Sequence, residues 1–127
     1  MDVRRLFAVL FLILNACASH GPTQMSFGSP QETFESWRSS VVNLELENIV
    51  ACYAEPAKSG MRDEIAGLSK DGLEEMSRET NDTEFKIEKI IYEGQRAFMR
   101  VKRKRSGEEE VEVLTMVLER GAWKLLP

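Results

Sequence analysis

Few residues of this 127-residue chain have both the type and the setting that catalysis requires. The single histidine, His20, lies in a stretch rich in Ser, Gly and Pro without hydrophobic periodicity, where it is poorly placed for catalysis. Carboxylates that act as general acids or bases need an apolar pocket, and no Asp or Glu has that setting in the sequence. The two phenols are Tyr53 and Tyr92. We therefore expect no catalytic residue, although an isomerase or hydrolase that uses Tyr53 and an unidentified carboxylate remains an alternative.

Metal and cofactor sites also lack the patterns that define them. The sequence contains no phosphate-binding loop, nucleophile elbow or zinc motif, and two cysteines cannot form a disulfide scaffold. The net charge of −4, from 17 basic and 21 acidic residues, argues against nucleic-acid binding. The hydrophobic content of 43% and the length indicate one globular domain. We expect no cofactor, no metal and no nucleic-acid partner.

A cysteine, Cys17, follows a hydrophobic segment near the start of the chain. Arg4 and Arg5 precede nine uninterrupted apolar residues, 6–14. The hydrophobic part of a secretory signal has about 7–15 residues, whereas a membrane-spanning helix needs about 20. Residues 1–16 are therefore predicted to be a signal peptide.

The sequence Leu14-Asn15-Ala16-Cys17 resembles the lipoprotein signal of bacteria, although Asn15 is not one of its usual small residues. The resemblance implies that Cys17 becomes the N-terminal residue and carries lipid, since its thiolate is a nucleophile. Ala18 follows the cysteine where an Asp would favour inner-membrane retention, which implies sorting to the outer membrane. We expect a cell-envelope protein anchored to the membrane through lipid on Cys17, at the periplasmic face of the outer membrane.

Cleavage before Cys17 leaves 15 basic and 20 acidic residues, a net charge of −5. Residues 17–29 are predicted to be a lipidated tether, and residues 30–127 to form the domain. Ser29 can cap a helix that starts at Pro30, and Glu32 completes a capping box. An apolar stripe follows at spacings of 3, 4 and 3, formed by Phe34, Trp37, Val41 and Leu44.

Two further helical pieces follow, and then strands. The second piece has an apolar stripe over 46–53, and Glu55-Pro56 is expected to end it. The third piece contains Met61 and continues after a break near Asp71-Gly72. The remaining segments are rich in β-branched and aromatic residues: 85–92, 95–105, 108–119 and 122–126. Two-residue links that end in Gly separate them, at 93–94, 106–107 and 120–121. The sequence predicts an α+β fold with N-terminal helices packed on a four-stranded antiparallel meander.

Charge supports the middle hairpin. A turn at 106–107 pairs Arg105 with Glu108, and the next two pairs along the strands are also of opposite charge: Lys104 with Glu109 and Arg103 with Glu110. The basic run Arg100–Arg105 is therefore expected to be neutralised across the hairpin. Docking of this run to an anionic surface remains an alternative.

The order of these elements resembles the nuclear-transport-factor-2-like superfamily, also called cystatin-like or ketosteroid-isomerase-like. The resemblance rests on Phe34-x-x-Trp37 in the first helix, Tyr53-Ala-Glu55 after the second, and the closing Glu119-Arg-Gly-Ala-Trp-Lys-Leu125. The start, Ser29-Pro-Gln-Glu-Thr-Phe34, is common in lipoprotein members of unknown function. The resemblance implies a strongly curved sheet that forms a cone with the helices. Such a cone can hold a ligand or an active site, or the sheet can mediate dimerisation.

Apolar residues are predicted on both faces of the sheet. One face is expected to pack on the helices, and the other could line a cavity or contact a second chain. Our leading hypothesis is a non-enzymatic protein that binds a small apolar ligand or an envelope protein partner through the cone or the sheet face. A homodimer is also possible. The candidate pocket residues are Phe34, Trp37, Tyr53 and Met99. An open apolar cone favours a ligand, whereas a filled cone with an exposed apolar sheet face favours a partner chain.

Overall fold

The computed structural model describes residues 23–127. The predicted signal peptide 1–16, the lipid-attachment site Cys17 and His20 lie outside the described residues. So does the first part of the predicted tether, residues 17–22.

Within the described residues, helices come first and strands second, as the sequence predicts. The helices are α1 (Pro30–Val42), α2 (Leu46–Ala51), α3 (Glu55–Ala66) and α4 (Lys70–Asp82). The strands are β1 (Glu84–Glu93), β2 (Arg96–Arg105), β3 (Glu108–Glu119) and β4 (Ala122–Leu125). They form an antiparallel sheet in the order β1-β2-β3-β4. The predicted α+β class and the four-stranded meander are confirmed.

The start of α1 is confirmed in atomic detail, because Ser29 Oγ accepts a hydrogen bond from the backbone N–H of Glu32 at 3.1 Å. Two other helix boundaries differ from the prediction. Glu55-Pro56 forms the first turn of α3, since proline is tolerated there without loss of a hydrogen bond. The break before α4 falls at residues 67–69, because Ser69 Oγ caps that helix by accepting from the N–H of Gly72. Asp71-Gly72 therefore lies inside the first turn of α4.

The predicted register of the middle hairpin is confirmed, with Arg105 opposite Glu108. The first hairpin turn lies one residue later than predicted, at 94–95, because Glu93 pairs with Arg96. Gly94 has φ of 59° and occupies the first turn position, which glycine adopts without strain.

Ser106 and Gly107 both have positive φ, 52° and 81°, as a type I′ turn requires. Asparagine tolerates the left-handed region better than serine. We expect Ser106→Asn to raise the free energy of unfolding by about 0.5 kcal/mol, on the scale of other turn and cap improvements. Chemical denaturation of both proteins checks this. The expectation fails if the variant is no more stable than the original chain.

The two faces of the sheet differ in burial. The inner face, which packs on the helices, includes Ala97, Met99 and Val101 of β2, all at most 1% exposed. Phe34 of α1 and Cys52 after α2 join this cluster. A second cluster packs the helices on one another through Val41, Ile49, Val50 and Ile65.

The part of the predicted tether that the structure describes lies against the domain. The backbone N–H of Ser26 donates to Ser36 Oγ at 2.9 Å, and that hydroxyl donates back to the Ser26 carbonyl. The N–H of Trp123 donates to the carbonyl of Phe27 at 2.9 Å. Residues 26–27 therefore belong to the folded domain and cover part of the edge of β4.

Candidate functional site

A cavity of about 330 Å³ lies between the helices and the inner face of the sheet. Phe34 and Trp37 of α1, Tyr53 and Met61 form the helical side of its lining. The sheet contributes Phe85, Leu114 and Leu125, so most of the lining is apolar or aromatic. Three of the four predicted pocket residues are thus brought together.

The aromatic wall is held by ring contacts. The Phe34 and Trp37 rings are stacked with centroids 5.9 Å apart, and Phe34 meets Phe85 edge-on at 5.4 Å. One turn of helix places Phe34 and Trp37 on the same face of α1. Because Phe34 is only 2% exposed, it anchors the wall in the core while Trp37 remains half-buried at the cavity.

Met99, the fourth predicted pocket residue, is fully buried in the core and is not among the residues that line the cavity. It occupies a central position on β2, where it packs in the same cluster as Phe34 and Met116. Alternation correctly places Met99 on the inner face. The depth of packing on a central strand leaves no open space beside it.

Tyr53 is half-buried, and its position is fixed by backbone hydrogen bonds between the residues on either side of it and β4. The N–H of Leu125 donates to the carbonyl of Cys52, and the N–H of Ala54 donates to the carbonyl of Leu125, both at 2.8 Å. Burial raises the pKa of Tyr53 above its ordinary value, and its hydrogen bonding with Trp37 acts in the opposite direction. The phenol therefore stays protonated and can donate a hydrogen bond to a group in the cavity.

Two charged residues that the sequence did not single out as pocket residues, Arg103 and Glu112, also line this cavity. The Nη2 atom of Arg103 lies 3.1 Å from Glu112 and 3.4 Å from Glu110. Its Nε atom is buried and has no hydrogen-bond partner among the described residues. The sequence carried a signal for this position of Arg103, because every second residue of β2 from Ala97 onward lies on the inner face. The prediction from the hairpin charges paired Arg103 only with Glu110.

A second cavity of about 380 Å³ adjoins the first and shares Trp37, Phe85 and Arg103 with it. Its lining is mainly polar and charged, with the carboxylates of Glu79, Glu108 and Glu110 and the guanidinium of Arg105. Arg103 therefore lies where an apolar compartment meets a charged one. A ligand with an apolar body and a polar end matches this arrangement.

The enzymatic alternative requires a buried Asp or Glu near the Tyr53 hydroxyl, and none is found among residues 23–127. In this part of the chain, no Asp or Glu is buried, and the Glu112 side chain, 44% exposed, is ion-paired with Arg103. An exposed, ion-paired carboxylate lacks the apolar pocket in which general acids and bases act. Across the described part of the chain, His, Cys, Asp and Glu also form no group of three or more that could hold a metal ion.

Cys52 is a buried thiol whose Sγ donates to the carbonyl of Asn48 at 3.3 Å. Burial raises its pKa to about 12. The thiolate is the reactive form, so Cys52 is chemically inert at neutral pH. It acts as a small apolar side chain of the core.

The fold and the cavity together define a class of protein, a helix-covered, open antiparallel sheet with a pocket between the two layers. No family model matches the chain, and no characterised protein matches its sequence. Solved structures that are similar in fold include two proteins of low sequence identity. One is a SEC-C motif containing protein from Rhodopseudomonas palustris, with TM-score 0.53 and 13% identity over 79% of this chain and 77% of that one.

The other is a crystal structure described as that of an NTF2-like transpeptidase from Campylobacter jejuni. It has TM-score 0.52 and 12% identity over 78% of this chain and 99% of that one. This likeness supports an NTF2-like fold for the chain, as the sequence resemblance implies. At such low identity it carries the fold alone. No helix among residues 23–127 is long and apolar enough to cross a membrane.

Proposed function

We propose that this chain is a lipid-anchored protein of the cell envelope whose domain binds a small, mainly apolar ligand in the cavity between the helices and the sheet. The observation that carries the binding proposal is the 330 Å³ aromatic cavity formed by Phe34, Trp37, Tyr53 and Phe85. Binding pockets for small molecules begin at about 300 Å³ and combine apolar walls with a few polar groups. The anchoring proposal rests on the resemblance of Leu14-Asn15-Ala16-Cys17 to a lipoprotein signal, and on the hydrophobic segment 6–14 before Cys17.

The polar groups at the cavity narrow the ligand class. Arg103 lines both compartments, and its buried Nε has no partner among the described residues. A buried donor without a partner is destabilising by about 1–3 kcal/mol. A ligand with an apolar body and a hydrogen-bond acceptor, such as a carbonyl or ether oxygen, would match the apolar walls and the donors of the Arg103 and Tyr53 side chains.

Native mass spectrometry tests the proposal directly. The chain is made in the periplasm of its own host without the lipidated cysteine, starting at Ala18, so that all described residues are retained. We expect a protomer that carries a defined additional mass, which is lost on denaturation. A bare protomer or a bare dimer would contradict ligand binding.

Filling the cavity provides a second test, which does not require the natural ligand. Leu114 lines the cavity, whereas Leu118 lies on the same strand and face, opposite Trp123, and does not line it. We expect Leu114→Phe to weaken binding of the amphiphilic dye anilinonaphthalene sulfonate by at least about tenfold, because the larger ring occupies the cavity. Dye fluorescence titration measures this.

Leu118→Phe is the matched control, since it adds the same atoms to the same face outside the cavity. We expect it to bind the dye as the original chain does. If both variants bind equally well, or if both are equally weakened, the dye does not occupy this cavity.

A further inference from the structure

The outer face of the sheet, which points away from the helices, carries an exposed apolar patch. Ile91 is 44% exposed, Val111 49% and Val113 59%, and Phe98 beside them is half-buried. Ile91 lies directly opposite Phe98, and Val113 lies opposite Arg100, diagonal to Phe98 across β2 and β3. Exposed apolar side chains that adjoin one another in this way indicate an interaction surface.

Basic side chains surround this patch. Those that share the outer face on β1 and β2 are Lys86, Lys89, Arg96, Arg100, Lys102 and Lys104. Two of them are ion-paired, Arg100 with Glu88 at 3.5 Å and Lys102 with Glu109 at 3.1 Å. The other four have no ion-pair partner within 4.0 Å among the described residues, and two of them lie opposite a carboxylate on β1, Lys104 opposite Glu84 and Arg96 opposite Glu93. The basic side chains on this part of the face are therefore only partly neutralised.

Charge is divided between the two layers of the domain. Residues 30–82, which form the helices, contain 12 acidic and 5 basic residues, a net charge of −7. Residues 84–125, which form the sheet, contain 8 acidic and 10 basic residues, a net charge of +2. A negatively charged surface would thus repel the helical layer and attract the sheet, which sets one orientation.

We propose that the outer face docks the domain onto the surface of a lipid bilayer that contains anionic lipids. The apolar side chains of Ile91, Val111 and Val113 would enter the headgroup region, and the surrounding lysines and arginines would contact lipid phosphates. Long basic side chains can keep their charge at the phosphates while their methylene stems cover apolar surface. This goes beyond ligand binding and does not depend on the lipid at Cys17. Val113 also lines the 330 Å³ cavity, whereas Ile91 and Val111 do not.

The structure changes which basic residues form this surface. Arg103 and Arg105 point to the inner face, where Arg103 pairs with Glu110 and Glu112 and Arg105 pairs with Glu79 at 3.3 Å. Arg100, Lys102 and Lys104 lie on the outer face. Lys86 and Lys89 of β1 lie on the same face. The docking surface is thus a property of two adjacent strands rather than of the continuous run 100–105.

A second copy of the chain matches this face less well. In a two-fold symmetric dimer the same patch faces itself, so Lys86, Lys89 and Lys104 would lie against an equally basic surface. Like charges that face one another across an interface are destabilising. Charge complementarity therefore favours an anionic bilayer over a homodimer through this face.

Vesicle co-sedimentation tests the proposal with the unlipidated chain that starts at Ala18. We expect binding to vesicles of phosphatidylglycerol and phosphatidylcholine in equal parts, and none to phosphatidylcholine alone. Binding should weaken as ionic strength rises, because salt screens exposed charges. The double variant Lys86→Glu/Lys89→Glu should bind at least about 25-fold more weakly, since each basic residue near the surface contributes on the order of fivefold.

The matched control is Arg62→Glu/Lys70→Glu, which makes the same charge change on exposed residues of the helical layer. We expect it to bind within about threefold of the original chain, because the helices face away from the bilayer. Val111→Ser, on the same face but outside the cavity lining, should weaken binding without altering its salt dependence. Circular dichroism verifies that each variant is folded.

Three results would overturn the proposal. The first is equal loss of binding in the control and the sheet variant, which would indicate a general charge effect. The second is binding to phosphatidylcholine alone at the same strength. The third is the absence of any vesicle binding. Sedimentation velocity then distinguishes a dimer formed through this face from a monomer, for which a protein partner would be the remaining occupant.

Discussion

Replacement of Phe34 by alanine is expected to lower the free energy of unfolding by about 3–5 kcal/mol, the range for buried Phe-to-Ala changes. Phe34 is 2% exposed, stacks on Trp37 of the same helix and joins that helix to the sheet through its contact with Phe85. Domains of this size have a total stability of about 5–15 kcal/mol, so the variant would keep only part of it. Urea denaturation followed by circular dichroism measures the loss.

Phe98→Ala is the control for this prediction, because Phe98 has the same side chain on the outer face, where it is half-buried. Removing it leaves no closed cavity, and we expect a loss of about 1 kcal/mol. Equal losses in the two variants would show that the helices do not pack on the sheet through Phe34. Phe34→Ala should also abolish dye binding, since it removes one wall of the cavity.

Replacement of Cys17 by serine is expected to abolish incorporation of radiolabelled palmitate and to release the protein from the membrane fraction. A serine hydroxyl is not ionised at neutral pH and does not replace the thiolate as nucleophile. Several acyl chains give stable anchoring, so their loss changes the distribution of the protein almost completely. Metabolic labelling followed by membrane fractionation measures both effects.

The second cysteine of the chain provides a matched control. Cys52 is buried and its pKa is raised to about 12, so it is not available for acylation. A serine at position 52 can still donate to the carbonyl of Asn48, as the thiol does. Cys52→Ser should therefore keep full labelling. Labelling that persists in Cys17→Ser, or that disappears in Cys52→Ser, would refute the assignment of Cys17.

Much of the fold could be predicted because its signals are local. The capping residue Ser29 and the spacing of Phe34 and Trp37 define α1, and the Gly-containing links define the hairpins. The charge pairs beside Ser106-Gly107 predict the register of β2 and β3 correctly. The boundaries that were wrong involve residues with two local roles. Pro56 can follow one helix or begin another, and Ser69 competes with Gly72 as the point where a helix restarts.

The cavity was predicted only in part. The stripe on α1 identifies Phe34 and Trp37, but β1, β2 and β3 contribute Phe85, Arg103 and Leu114 from positions far apart in the chain. Met99 has the residue type and the face of a pocket residue, yet its central position on β2 buries it completely. Open space depends on how closely two layers approach, and no single segment carries that information.

The sequence by itself determined the order of helices and strands, the antiparallel pairing and the prediction of lipid anchoring at Cys17. These depend on caps, turns, periodicity and short motifs, each of which acts within a few residues. The tertiary structure decided which side of the sheet the helices cover. It thereby divided the basic run, with Arg103 and Arg105 on the inner face and Arg100, Lys102 and Lys104 on the outer face. Successive residues of a strand point to opposite faces, so only packing of the helices could assign one face to the cavity and the other to solvent.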